Sequence, residues 1–389
     1  MKSDLDWVLL YLFHSRMWGV LACVCSIGLG WFLTSTVEDC PEIITHPDNE
    51  DSIKAIIPTY RVPRVFTSSL LMLIAGSLSV SRLPPNVSFK REEVELEDGF
   101  IYVDWYITPQ SEELEKENSP IIIALHGITG HAQENYMRDL CKQAALYSFR
   151  IVCINARGAG GTKLASAKGF HAGKSDDFRS VVEYVNSKFP QSILFGVGFS
   201  LGANVLGKYL GEWGMDCLMQ GAVLFSNPCD LHVSSEKMTS TWLHRNLLNA
   251  RITDNLKKWM QPHRSVFGKI VDFAMIDAAT TIREFDEHYI LPVFPEFSDV
   301  DDYYTKSSSC EYISQVKIPL LVVHSKDDPI CPISAISNAV VDEASNITIC
   351  RTKYGSHVCW LNSLNVYNRS SWAEPVATSF FRYLQETNK

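Results

Sequence analysis

From about residue 91 onward, short continuous apolar runs alternate with longer helical segments. The runs are IIIAL at 121–125, IVCI within 150–154, ILFGVGF at 193–199, AVLF within 221–225 and LLVVH within 319–324. A strand wetted on one face alternates polar and apolar residues. Runs without that alternation suit strands covered on both faces, as in a mostly parallel sheet. Two more polar runs, 92–97 and 101–107, are joined through Asp98 and Gly99 and read as an antiparallel edge hairpin. A last run covers 347–351. Segments 132–147, 175–188 and 202–212 read as crossover helices. The pattern predicts an α/β fold: an eight-stranded, mostly parallel, doubly wound sheet with helices on both faces.

About ninety residues separate the sixth and seventh runs. That is too long for a plain crossover, so a cap insertion is expected over about 232–312. Residues 35–90 are rich in proline and weakly periodic, and read as a linker and an N-terminal arm. The catalytic domain is then 91–389.

The amino terminus adds a membrane element. After a tail of residues 1–16, residues 17–34 (MWGVLACVCSIGLGWFLT) carry no charge over eighteen positions. At 1.5 Å per residue such a helix just spans a hydrocarbon core of roughly 30 Å. The long lead and the Trp31-Phe32 end favour a signal anchor over a cleaved signal peptide. Lys2 and Arg16 precede the run, and Glu38, Asp39 and Glu42 follow it. A single-pass type II protein of the endoplasmic reticulum or plasma membrane is therefore expected. The sequons at Asn86, Asn346 and Asn368 would be usable in that topology. A second apolar run, 70–76, is too short to span; it reads as a helix packed on the domain or dipping into the membrane surface.

A net charge of -9 argues against nucleic-acid binding. The eleven cysteines show no metal-ligand spacing. They read mostly as free buried thiols, and neither cofactor nor metal is expected.

The chemistry centres on Gly198-Phe199-Ser200-Leu201-Gly202. GxSxG is common by chance, but here it follows an apolar strand and opens a helical segment. Such a strand–turn–helix elbow exposes a serine nucleophile, with glycines where side chains would clash. A serine hydroxyl needs a base, and the elbow predicts that an acid and then a histidine follow. Ser325-Lys-Asp327-Asp328-Pro329 comes after the seventh run and Gly355-Ser356-His357 after the eighth. Asp328 is favoured over Asp327, which would cap the loop. The oxyanion hole is expected from the N–H groups of Leu201 and Ile128, with Gly127 permitting close backbone approach. His126 would orient that loop, and His324 reads as core.

These residues resemble one branch of the α/β-hydrolases. It is the membrane-anchored group that includes mammalian α/β-hydrolase domain-containing lipases and fungal medium-chain ethyl ester synthase/esterases. The matching pieces are His126-Gly127-Ile-Thr-Gly130, Asn155-Ala-Arg157-Gly158, Gly198 to Asn204, Phe285-Asp286, Asp301-Asp302-Tyr303-Tyr304, Ser325 to Pro329 and Gly355 to His357. The resemblance implies an α/β-hydrolase fold, a Ser/Asp/His triad, a single-pass anchor and acyl-ester substrates such as glycerolipids or phospholipids. Two departures stand out: Gly76-Ser-Leu-Ser-Val80 replaces a Gly-His-Leu-Gln-Thr-like stretch, and Ser356 stands where glycine is common. The expected activity is that of a serine carboxylic ester hydrolase acting on lipid. The alternatives are an acyltransferase using the same acyl-enzyme and a non-catalytic lipid- or steroid-binding protein. An aspartate-nucleophile hydrolase is disfavoured by Ser200.

Overall fold

The computed structural model describes residues 34–365 and 367–387. Apart from Thr34, the uncharged run at 17–34 lies outside the described residues, as does the tail before it. Among the described residues, no helix is long and apolar enough to cross a membrane.

The strands are β1 (Thr36–Asp39), β2 (Glu42–Ile44), β3 (Tyr60–Pro63), β4 (Ser88–Leu96), β5 (Gly99–Ile107), β6 (Ile121–Leu125), β7 (Arg150–Asn155), β8 (Leu194–Phe199), β9 (Gly221–Phe225), β10 (Leu320–Ser325) and β11 (Ile347–Thr352). The main sheet runs β2-β11-β10-β9-β8-β6-β7-β5-β4. Its six central strands, from β11 to β7, are mutually parallel. The β4–β5 hairpin joins β7 antiparallel at one edge, and β2 joins β11 antiparallel at the other. The sheet therefore has nine strands rather than eight. The extra strand, β2, has only three residues at the sheet edge, too few to show a run in the sequence.

Residues 35–90 carry regular structure of their own. β1 pairs with β3 in a small separate sheet. Helices α1 (Glu50–Ile56) and α2 (Ser69–Leu78) follow β2 and β3, and Tyr60, Val62, Phe66 and Met72 enter the core.

Successive side chains on a strand point to opposite faces, and two core layers follow. On β6, Ile122 and Ala124 face one layer and Ile121, Ile123 and Leu125 the other; Leu321 and Val323 of β10 alternate likewise with Leu320 and Val322. The first layer is closed by α3 (Asn135–Leu146) and the C-terminal helix, residues 373–387. The second is closed by α4 (Ser175–Lys188) and α5 (Leu201–Trp213). Between β9 and β10 the chain adds α6 (Leu231–Lys237), α7 (Ala250–Met260), α8 (Ile282–Val293) and α9 (Val300–Ser307), with shorter turns. Phe267, Phe285, Tyr289, Ile290 and Tyr303 give these helices a core of their own. Side-chain caps at Asp230, Thr281 and Asp299 start α6, α8 and α9 by accepting from backbone N–H groups.

The described cysteines are free thiols, six of them buried. Of the sequons, Asn86 and Asn368 are exposed. Asn346 instead donates its amide to the carbonyls of Val316 and Ile318, at 3.0 and 2.6 Å. That engages the nitrogen a glycan would need, so Asn346 is unsuited as an acceptor.

Arg157, in the loop after β7, forms a bidentate pair with Asp177 of α4 at 2.6 and 2.7 Å. It also reaches Asp98 in the β4–β5 turn at 2.6 Å. One buried guanidinium thus ties three segments together. Arg157→Ala takes the bidentate partner from the buried Asp177 carboxylate, while Asp98 keeps Lys168 at 3.1 Å, and is expected to cost roughly 3–5 kcal/mol of stability. Urea denaturation checks this, and a loss below about 1 kcal/mol, the scale of a surface pair, would refute it.

Candidate active site

The turn between β8 and α5 brings the candidate nucleophile to the carboxyl end of the parallel strands, where open α/β sheets place their ligands. Ser200 has φ 52 and ψ -121, a conformation that L-residues seldom adopt. The surrounding glycines permit it. A Cβ on Gly198 would lie 2.5 Å from the Ala203 Cα, and one on Gly202 would lie 2.4 Å from the carbonyl oxygens of Leu125 and His126. A Cβ on Gly127 would sit 3.1 Å from that of Ser200.

Ser200 Oγ lies 2.9 Å from His357 Nε2, and His357 Nδ1 lies 2.9 Å from Asp328 Oδ2. The other Asp328 oxygen accepts from the N–H groups of Ile330 and Cys331 at 2.8 and 2.9 Å, which fixes the carboxylate. Asp327 faces away. It accepts from Ser356 N–H at 2.8 Å and Ser325 Oγ at 2.9 Å, tying the β10 loop to the histidine loop. Burial, first of all, pushes its carboxyl up from the ordinary range. Ser356 itself has φ 51, which explains why glycine would be at home there.

The N–H groups of Leu201 and Ile128 donate to no group among the described residues. Both residues line the cavity that holds Ser200. The Gly127 N–H is engaged by Tyr136 Oη at 3.1 Å, which leaves Gly127 the spacing role expected of it. His126 bridges this loop to β7: its Nδ1 donates to the Gly127 carbonyl at 2.7 Å and its Nε2 accepts from Ala156 N–H at 3.1 Å. Burial lowers its pKa to about 4, so it is neutral and orienting. His324 is buried at the end of β10, with Nε2 2.7 Å from the Cys331 carbonyl.

Among the described residues, one group has metal-ligand spacing: Asp328, Cys331 and His357, with ligand atoms within 4.8 Å. Both ring nitrogens of His357 are already bonded to Asp328 and Ser200, so the ring has no lone pair left for a cation.

Ser200 opens onto a cavity of about 110 Å³ whose walls are largely aliphatic, including Leu231, Met238, Ile252 and Ile330. A second, smaller cavity of about 40 Å³ adjoins it and shares Ile128, Leu201, Asp286 and Tyr303 with it. Two buried polar groups there escaped the sequence reading. His171 packs against Phe294, Phe297 and Tyr303, and burial holds its pKa down to about 3. Asp286 accepts from Tyr304 Oη at 3.0 Å, and burial raises its pKa to about 7. The nearest cation, Arg283, is occupied bidentately by Asp301 at 2.8 Å. The motif pieces Phe285-Asp286 and Tyr303-Tyr304 were visible in the chain, but only the fold brings them together. Asn204, one turn into α5, is likewise a clamp: it donates to the carbonyls of Ala172 and Ser307 and accepts from Ser309 N–H at 2.8 Å.

The family model described as serine aminopeptidase, S33 (Hydrolase_4) matches residues 116–360, a span that contains Ser200, Asp328 and His357. The chain belongs to this family. It is a serine hydrolase of α/β-hydrolase fold. It is similar to the Caenorhabditis elegans protein abhd-3.2, with 29% identity over 72% of this chain and 73% of that one. It is also similar to human phospholipase ABHD3, with 27% identity over 87% of this chain and 84% of that one. Medium-chain fatty acid ethyl ester synthase/esterase 2 of Saccharomyces cerevisiae is 30% identical over 71% of this chain and 64% of its own.

The hydrolase should carry the pH signature of Asp286. A carboxyl whose folded pKa is raised contributes fully below its unfolded pKa, and that contribution is lost as pH rises through the folded value. The window runs from 3.8 to about 7. Asp286→Asn keeps the shape and removes the titration. Across that window, wild type should lose up to roughly 4 kcal/mol of stability relative to the variant. Parallel stability curves in denaturation series at several pH values would refute this.

Proposed function

We propose that the chain is a membrane-anchored serine esterase that cleaves lipid acyl esters, such as those of glycerolipids or phospholipids, with Ser200, His357 and Asp328 as its triad. The observation that carries the reading is the unbroken chain Ser200–His357–Asp328, with both links at 2.9 Å, at the floor of a largely aliphatic cavity. The names of relatives agree in kind: a human phospholipase, a yeast ester synthase/esterase and a yeast monoacylglycerol lipase.

In this mechanism His357 Nε2 takes the Ser200 proton as Oγ attacks the ester carbonyl. Asp328 holds Nδ1–H and so fixes the tautomer and stabilises the imidazolium. The N–H groups of Leu201 and Ile128 receive the oxyanion. The imidazolium returns its proton to the departing alcohol or lysolipid, leaving an acyl-enzyme. Water, deprotonated by His357, then releases the fatty acid. An alcohol in place of that water gives acyl transfer by the same intermediate. The apolar walls favour an acyl chain over a peptide side of the reaction, because a buried peptide bond would leave polar groups unpaired. Residues 17–34 supply the anchor in this reading, with the amino terminus cytosolic.

Ser200→Ala should abolish labelling by a fluorophosphonate probe and lower ester hydrolysis at least roughly 10³-fold. Asp328→Asn should lower kcat about 10⁴-fold, because the histidine then takes the wrong tautomer, whereas Asp327→Asn should act mainly on stability. Labelling that survives Ser200→Ala sinks the reading.

A further inference from the structure

Helix α2 has two unlike faces. Met72 and Gly76 are buried, and a Cβ on Gly76 would lie 2.5 Å from Cys359 Sγ. Leu73, Gly76 and Ser77 line an opening that also contains Ser200 and His357. Facing outward, Leu71, Ile74 and Leu78 fall at i, i+3 and i+7 and are 46%, 47% and 69% exposed. Val80 follows, also exposed. Such spacing makes one continuous apolar stripe.

The far rim of the same opening is alike. Ile252 and Asn255, at the start of α7, line it together with Ile330. The turn leading into α7 carries Trp242, 76% exposed, with Leu243 and Leu247 exposed beside it. His244 in that turn bonds the Pro329 carbonyl, which seats the turn against the loop of Asp328 and Ile330.

Charge follows the same geography. The chain carries a net -9, and of the basic residues near α2, Lys54, Arg61, Lys90 and Arg91 pair with Glu50, Glu38, Glu92 and Asp104, whereas Arg82, just past the helix, makes no ion pair among the described residues. Around the 242–247 turn, between Glu236 and Asp254, Lys237, Arg245 and Arg251 likewise make no ion pair among the described residues. Arg82, Arg245 and Arg251 are exposed. The described chain also begins here: Arg64 N–H, shortly before α2, donates to the Ser35 carbonyl at 2.9 Å. Ser35, the residue that follows the uncharged run at 17–34, thus lies against Arg64, five residues before α2.

We propose that α2 and the 242–247 turn form a rim that docks on a phospholipid bilayer. Leu71, Ile74, Leu78 and Trp242 enter the interfacial layer, and Arg82, Arg245 and Arg251 meet lipid phosphates. Apolar side chains flanked by basic ones are the composition of an interfacial membrane contact. A second copy of the chain would set basic rim against basic rim, and like charges across an interface are costly. A protein seated across both rims would plug the route to Ser200, whereas a bilayer supplies the substrate through it. The proposal rests on the lipid-esterase reading and adds the surface by which substrate enters.

The test uses the full chain in phosphatidylcholine vesicles with and without phosphatidylserine. Two activities are read: hydrolysis of a phospholipid ester in the vesicle, and hydrolysis of a soluble p-nitrophenyl butyrate. The double variant Ile74→Asp/Leu78→Asp and the single variant Trp242→Asp should each lower the vesicle activity roughly tenfold or more while the soluble activity stays within about twofold. Arg82→Glu/Arg245→Glu should reduce the gain from phosphatidylserine. Thermal melting confirms that each variant is folded. Unchanged vesicle hydrolysis, or equal loss of both activities, overturns the proposal. So does a wild-type dimer in size-exclusion chromatography that Ile74→Asp/Leu78→Asp dissolves, since a second copy then covers the face. Failure of the esterase reading looks different: Ser200→Ala would leave both activities intact.

Discussion

The backbone at Ser200, at φ 52 and ψ -121, is the constraint around which the site is arranged. A serine in that conformation costs of order 1–3 kcal/mol and persists only where its surroundings over-determine it. Here they do. The Ser200 N–H is held by the Phe225 carbonyl at 2.9 Å, α5 begins at the next residue, and three glycines remove the clashes that would otherwise open the turn. With the turn closed, Oγ stands clear of strand and helix and within reach of the histidine loop. A Cβ at Gly198 or Gly202 would meet backbone at 2.4–2.6 Å, so neither neighbour could yield without shifting α5 or β6.

The remaining parts of the site are held by polar links between elements distant in sequence. Asp327 bonds the loop of β10 to that of β11, so Asp328 and His357 move together. Asn204 joins α5 to the end of α9 and to the loop before α4, which fixes the insertion over Ser200 from behind. His126 and Tyr136 do the same for the Gly127–Ile128 loop. Asn204, His126 and Tyr136 are buried polar groups with partners in place, the condition under which such groups specify a geometry rather than weaken it. Asp327, in contrast, makes both of its bonds through Oδ1 and leaves its buried Oδ2 without a partner among the described residues. The insertion closes the cavity over Ser200 with aliphatic side chains, beside an opening lined in part by Leu73, Ile252 and Ile330.

The parallel strands were legible to within a residue or two, because burial on both faces leaves continuous apolar runs and little else does. The Ser, Asp and His positions were legible through their order and their places after β8, β10 and β11. Strand β2 was not, since an edge strand of three residues has no run to read. Residues 35–90 read as a linker and an arm wrapped on the core, and Tyr60 and Val62 are fully buried there, but prolines and short elements hid the strands β1 and β3. The Asp286–Tyr304 pair and His171 were illegible for another reason: their partners come from separate helices of the insertion, and no local pattern reports such packing. The choice between Asp327 and Asp328 turned on a single residue step, which decides whether the carboxylate points at a histidine ring or at a backbone N–H.

The central claim is that an acyl group passes through Ser200. Rapid-quench mass spectrometry of the protein mixed with a phospholipid or medium-chain ester tests it most directly. If Ser200 is acylated, the mass of the acyl group appears on the peptide containing Ser200, in a burst that precedes steady release of fatty acid. An acyl adduct on another residue, or linear turnover with Ser200 unmodified throughout, would contradict it.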